Sequence, residues 1–163
     1  MRIVTVVVII TFLLVGSISL EGQTRGINRE KYRVNIAQTN IDITVDGELN
    51  EVPWQIADRA VHFQRVLPTD TGFAKARTEV RLSYDDNNLY LGIICFDPTP
   101  GKRPVESLRR DFAFLKNDNF FVTFDTYDDK TNGFIFSVSA AGAEWDASQA
   151  NGVTANSDWD TKW

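Results

Sequence analysis

Cysteine, methionine and histidine each occur only once in the 163 residues. One cysteine, Cys95, cannot close an internal disulfide, so the fold must rest on its core rather than on covalent staples. Within a strand it reads as a small hydrophobe, a buried thiol. The only methionine is Met1 and no Cys-x-x-Cys-His occurs, which removes the usual attachments for haem. The only histidine, His62, lies in AVHFQRV, a strand-like stretch without companions for a triad or a metal site. Basic charge is in deficit: 17 Lys and Arg face 22 Asp and Glu, a formal net charge of −5. Nucleic acid and anionic membranes repel such a chain, and neither is expected as a partner. Nor is there an apolar run of the about 20 residues that a spanning helix needs.

The longest apolar run, IVTVVVIITFLLV, covers Ile3 to Val15. Arg2 precedes it and the small residues Gly16 to Ser19 follow, the layout of a secretory signal removed on export. Residues 1–22 are read as that signal and 23–37 as a lead-in segment. The 163 residues are enough for one domain with its own core but not comfortably for two, and that domain is placed at 38–163.

From Tyr32 onward the dominant period is two, the mark of strands. Ile41, Ile43 and Val45 alternate with polar residues and run into the turn Asp46-Gly47. In TEVRLSY, Val80, Leu82 and Tyr84 are expected on a core face, with Glu79, Arg81 and Ser83 on a wet one. Asp85 to Asn88 (DDNN) is a tight turn, because Asx side chains cap their own backbone. LYLGIICF, Leu89 to Phe96, is apolar on both faces and predicts a central, doubly covered strand. After a Pro-rich loop, VESLRRD suggests a helical turn. NFFVTFD, with Phe120, Val122 and Phe124 on one side, then pairs with GFIFSVS as a hairpin. A small corner, SAAG, leads to AEWDASQA and the turn Asn151-Gly152. The expected fold is all-β, an antiparallel β-sandwich. SDWDTKW, Ser157 to Trp163, reads as the start of a further strand, and so as a domain incomplete at its C-terminus.

VDGELNEVPWQIA, Val45 to Ala57, predicts a short helix capped by Asn50, with Pro53 in its first turn. Trp54 and Ala57 then share a face, and Trp54 is expected as a core plug. The acids Asp125, Asp128 and Asp129 could hold calcium, although their spacing fits no EF-hand and solvated hairpin loops are commonly acidic. No pair among the 22 acids is marked by spacing as a glycosidase couple.

The ordered set VDGELNEVPWQIA, TEVRLSYDDNNLYLGIICFDP, RRD, DNFFVTFDTYDDKTNGFIFSVSAAGAEWD and DWDTKW resembles carbohydrate-binding module family 9. The likeness covers about residues 38–163. It is strongest to a subgroup at the N-terminus of large bacterial outer-membrane proteins, where a β-barrel region follows. The resemblance implies a β-sandwich, no catalysis, no required cofactor, and a polysaccharide or oligosaccharide as partner. It also implies export to the periplasm or outer membrane and a C-terminal domain in the same polypeptide. Family binders clamp a sugar between two tryptophans, since pyranose C–H faces stack on indoles while hydroxyls suit carboxylate, guanidinium and amide groups. The candidates here are Trp145 and Trp159, each next to an aspartate, together with Arg110 and Asp111. For each tryptophan the bland alternative is core packing, and for Arg110-Asp111 an ion pair at a loop corner. Two further readings stay open. One is a structural or partner-binding periplasmic domain of an outer-membrane β-barrel; the other is an accessory to a downstream hydrolase.

Overall fold

The computed structural model describes residues 29–163 apart from 67, 69, 70, 100 and 102–104. The expected signal at 1–22 and residues 23–28 of the lead-in lie outside the described residues. The chain divides into two units at Asp97 and Pro98, each with one four-stranded sheet. Strands in two essentially antiparallel sheets with little helix make the protein all-β. No helix among the described residues is long and apolar enough to cross a membrane.

In the first unit, β1 (Ala37–Gln38), β2 (Arg59–Ala60) and β4 (Leu89–Cys95) all pair with β3 (Thr78–Tyr84). β4 runs antiparallel along the whole of β3, from Thr78↔Cys95 to Tyr84↔Leu89. The other edge is shared by β1, parallel at Ser83 and Tyr84, and β2, antiparallel at Val80 and Arg81. The β3–β4 turn forms as expected: the Asp85 carboxylate accepts the Asn87 and Asn88 N–H groups at 2.7 and 2.6 Å. The backbone donor of Asn87 and the Tyr90 hydroxyl draw the Asp85 pKa below its ordinary value.

Three expectations fail in this unit. Ile41, Ile43 and Val45 form no strand, and Val45 is 89% exposed. Side chains take the amides instead: Thr39 Oγ1 accepts from Ile41 N and the Glu51 carboxylate from Thr44 N. LYLGIICF is not central. Among the described residues β4 pairs only with β3, and Cys95 at its end is exposed rather than a buried thiol. The third failure concerns the polar face of β3, where Glu79 and Ser83 are only 3% and 2% exposed.

That face is covered by the helical turn Val52–Ile56, which carries the buried Pro53 and Trp54. Glu51, not Asn50, is the residue before the turn, and it makes no side-chain cap. Trp54 is 3% exposed, a core plug as expected. It lies over Gly92, where an added Cβ would meet Leu49 at 3.0 Å and Trp54 at 3.1 Å. Arg81 stands opposite Gly92 and donates to the Trp54 carbonyl at 2.7 Å. Glu79 pairs with Arg77 through Oε1 and with Arg81 through Oε2 at 3.7 Å.

The second unit is a meander of β5 (Asn119–Phe124), β6 (Gly133–Ser139), β7 (Glu144–Ala150) and β8 (Thr154–Asn156), each pairing with the next. Phe120, Val122 and Phe124 do share a face, facing Val138, Phe136 and Phe134 in turn. The small corner closes on Ser139, whose hydroxyl accepts from Ala143 N at 3.0 Å. VESLRRD is not helical; the short helix of this region is a 3-10 turn at Phe114–Lys116.

Candidate functional site

Successive strand side chains point to opposite faces, so the register sorts this unit's residues into two sets. One face carries Phe134, Phe136 and Val138 opposite Ser148, Asp146 and Glu144. The other carries Ser137 opposite Trp145 and Gly133 opposite Gln149.

On the first face lies the segment 157–163. It forms no strand, and side chains take both backbone groups of Thr161. The Asp146 carboxylate accepts from Thr161 N at 2.9 Å, while Arg110 donates to the Thr161 carbonyl at 2.6 Å. Arg110 also reaches Glu144 Oε2 at 2.6 Å, Asp146 Oδ1 at 2.7 Å and Asp160 Oδ1 at 2.8 Å. Asp146 is wholly buried. Burial disfavours the Arg110 charge, but the Asp146 hydrogen bond and the Asp146, Asp160 and Glu144 charges outweigh it and raise its pKa. This clasp seats Trp159 at 4.7 Å from the Phe134 ring and Trp163 at 5.4 Å from Phe136.

Trp145 lies on the other face, its ring 4.9 Å from Phe114, which in turn meets Phe121 at 5.4 Å. Both tryptophans are half-buried. Trp145 and Trp159 therefore stand on opposite faces of one sheet, and cannot grip the two sides of one sugar ring. Arg110 is engaged with three carboxylates and a carbonyl. Its corner partner in the sequence reading, Asp111, does not pair with it. Asp111 is exposed at φ 58°, and its N–H bonds to the Glu144 carbonyl at 2.9 Å. Of the four candidates, the fold brings Arg110 and Trp159 into one assembly and leaves Asp111 and Trp145 outside it.

An open cleft of about 550 Å³ lies where the 125–132 loop meets β6 and the end of β7, lined by Tyr127, Asn132, Gly133, Phe134, Ser148 and Gln149 among others. Tyr127 is 65% exposed, with its ring 6.5 Å from Phe134. Tyr127, Phe134 and Trp159 thus form one aromatic row. Gly133 leaves a gap opposite Gln149, and any Cβ there would collide with the Phe124 carbonyl oxygen. The Ser148 hydroxyl, on the Phe134 face, makes no side-chain hydrogen bond to the described residues; the Gln149 amide makes none either but alternates onto the other face.

The acids of this loop are committed. Asp125 accepts from the Asp129 and Lys130 amides at 3.2 and 2.9 Å. Asp129 accepts from the Asn132 side chain at 2.6 Å and from the Asn132 and Thr131 amides at 2.7 and 2.8 Å. Those donors, the Asn132 side chain foremost, hold the Asp129 carboxyl far below the usual carboxylate range. Among the described residues no group of three His, Cys, Asp or Glu side chains is placed to hold a metal ion. Sequence reasoning missed Tyr127, Ser148 and Gln149. The dipeptide Asn132-Gly133, a hairpin signal beside an aromatic, was the one pointer to the cleft.

Comparison of the chain with family models, with curated proteins and with solved structures gave no match.

Proposed function

We propose that this chain is a non-catalytic carbohydrate-binding domain whose sugar site is the cleft beside Tyr127. The carrying observation is the aromatic row ending in the exposed Tyr127 ring, beside the uncommitted Ser148 hydroxyl on the same face. An apolar platform bordered by a hydroxyl suits a pyranose, whose C–H face stacks while its hydroxyls hydrogen-bond. Arg110 acts here by positioning, since its clasp on Asp146 and Thr161 seats Trp159 behind Phe134. The reading includes the β-sandwich of family 9 modules, export to the periplasm or outer membrane, and service to a larger polypeptide that it concentrates on polysaccharide.

Calorimetric titration of the full chain with neutral cello- and xylo-oligosaccharides tests it. Binding is expected, and Tyr127→Ala should weaken it by about 1–3 kcal/mol, as loss of a stacked anchor does, without a change in melting temperature. A folded protein that responds to no glycan in a broad panel would end this reading in favour of a partner-binding domain of an outer-membrane β-barrel.

A further inference from the structure

The chain as a whole is acidic, yet one sheet face in the first unit gathers three guanidiniums around a single carboxylate. Arg77, Glu79 and Arg81 alternate onto that face, and Arg59 stands directly opposite Arg81 in the β2–β3 register. Like charges placed directly opposite across strands are destabilising unless a counter-charge meets them. Glu79 supplies one, to Arg77 and Arg81. Arg81 is committed further to the Trp54 carbonyl. Arg59, which is exposed, has no carboxylate partner among the described residues.

Beside Arg59 opens a cleft of about 490 Å³, lined by Arg59, Val61, His62, Arg77 and Glu79. That volume lies in the range of small-molecule sites, about 300–1,000 Å³. Arg59 and Arg77 on its wall, with Arg81 also beside Glu79, outnumber the one carboxylate and leave the cleft net positive. An anion balances that charge. Guanidinium forks match a planar carboxylate in both geometry and charge.

We propose that this cleft binds a small-molecule carboxylate, for which glucuronate serves as the probe, with Arg59 as its principal contact and Arg77 as the second. The site belongs to the first unit and is independent of the neutral-sugar cleft at Tyr127.

The probes are glucuronate and glucose, which differ at one carbon by oxidation to a carboxylate, titrated against the full chain by NMR. Glucuronate should bind and glucose should not shift the same signals. Arg59→Gln should weaken glucuronate binding about tenfold or more, the loss expected for a hydrogen bond between charged groups. Its melting temperature should match the parent, because Arg59 supports no other side chain. Arg77→Lys, which keeps a cation for Glu79, should show a smaller loss. Tyr127→Ala should leave glucuronate binding intact, and Arg59→Gln should leave neutral-oligosaccharide binding intact, so either site can fail alone. Equal binding of glucose, an unchanged affinity in Arg59→Gln, or no response to glucuronate would each overturn the assignment.

Discussion

Gly92 and Trp54 fit one another so closely that a single added carbon at Gly92 would stand 3.1 Å from the indole. The absence of a side chain on β4 is what lets the plug reach the sheet. Gly92→Ala gains the backbone advantage of replacing a strand glycine, about 0.5–1 kcal/mol. It must also displace a 3%-exposed Trp54, and overpacking costs about 1–3 kcal/mol. A net loss on the order of 1 kcal/mol is expected in chemical denaturation. Trp54→Ala should cost about 3–5 kcal/mol. The double variant should lose less than the sum, because each change relieves the other; strict additivity would contradict the contact.

Asp146 ties the 157–163 segment to β7. Asp146→Ala removes an acceptor for Thr161 N and leaves Arg110 without its most buried partner. Breaking such a pair should destabilise on the order of 3 kcal/mol. Asp146→Asn keeps an acceptor and should cost less. Fluorescence of Trp159 and Trp163 should shift toward that of solvated indole in Asp146→Ala; an unchanged spectrum would show that the clasp does not seat them.

Acid should loosen the 125–132 loop. The Asp129 carboxyl has a folded pKa below its unfolded value, near 4. Its contribution is therefore present above about pH 4 and is lost as pH falls through the lower, folded pKa. The difference in melting temperature between the parent and Asp129→Ala should be largest near neutrality and shrink below about pH 4. A difference that stays constant from pH 7 to pH 2 would refute this account.

The two tryptophans named from the sequence should behave differently toward a neutral oligosaccharide. Trp159 shares the aromatic row with Phe134 and Tyr127, whereas Trp145 packs on Phe114 across the sheet. Ligand should perturb the emission of Trp145→Phe, which retains Trp159, and spare that of Trp159→Phe. The reverse pattern would move the sugar site to the other face.

Alternation located β3 and the β5–β6 hairpin, and Asx chemistry located the turn between β3 and β4. Period-two spacing, however, reports only which residues lie on the same side. It carries no sign: Val80 is buried as expected, but Glu79 and Ser83 on the other side of β3 are buried as well, because the helical turn with Trp54 lies there. Alternation from Ile41 to Val45 also carried no strand, since pairing needs a neighbouring edge that local pattern does not report. In the candidate site, Arg110 was legible as a charged corner but not as the centre of a clasp, whose partners lie 34 to 51 positions away. Tyr127 was hidden for another reason. A lone aromatic in an acidic loop has no periodic context that would set it apart from its neighbours.

The buried charges on β3 bear on how the strand finds its alignment. A one-residue slip against β4 would turn Val80 and Leu82 toward Trp54 and send Glu79, Arg81 and Ser83 to the opposite side. Hydrophobic burial alone would accept either arrangement, leaving two states close in energy. Only one of them lets Arg81 reach the Trp54 carbonyl while Glu79 lies between two arginines. The polar face thus trades some depth of the native basin for a single occupant. Replacing Glu79, Arg81 and Ser83 together with apolar residues of similar size would test this trade, with doubled amide resonances along β3 as its signature.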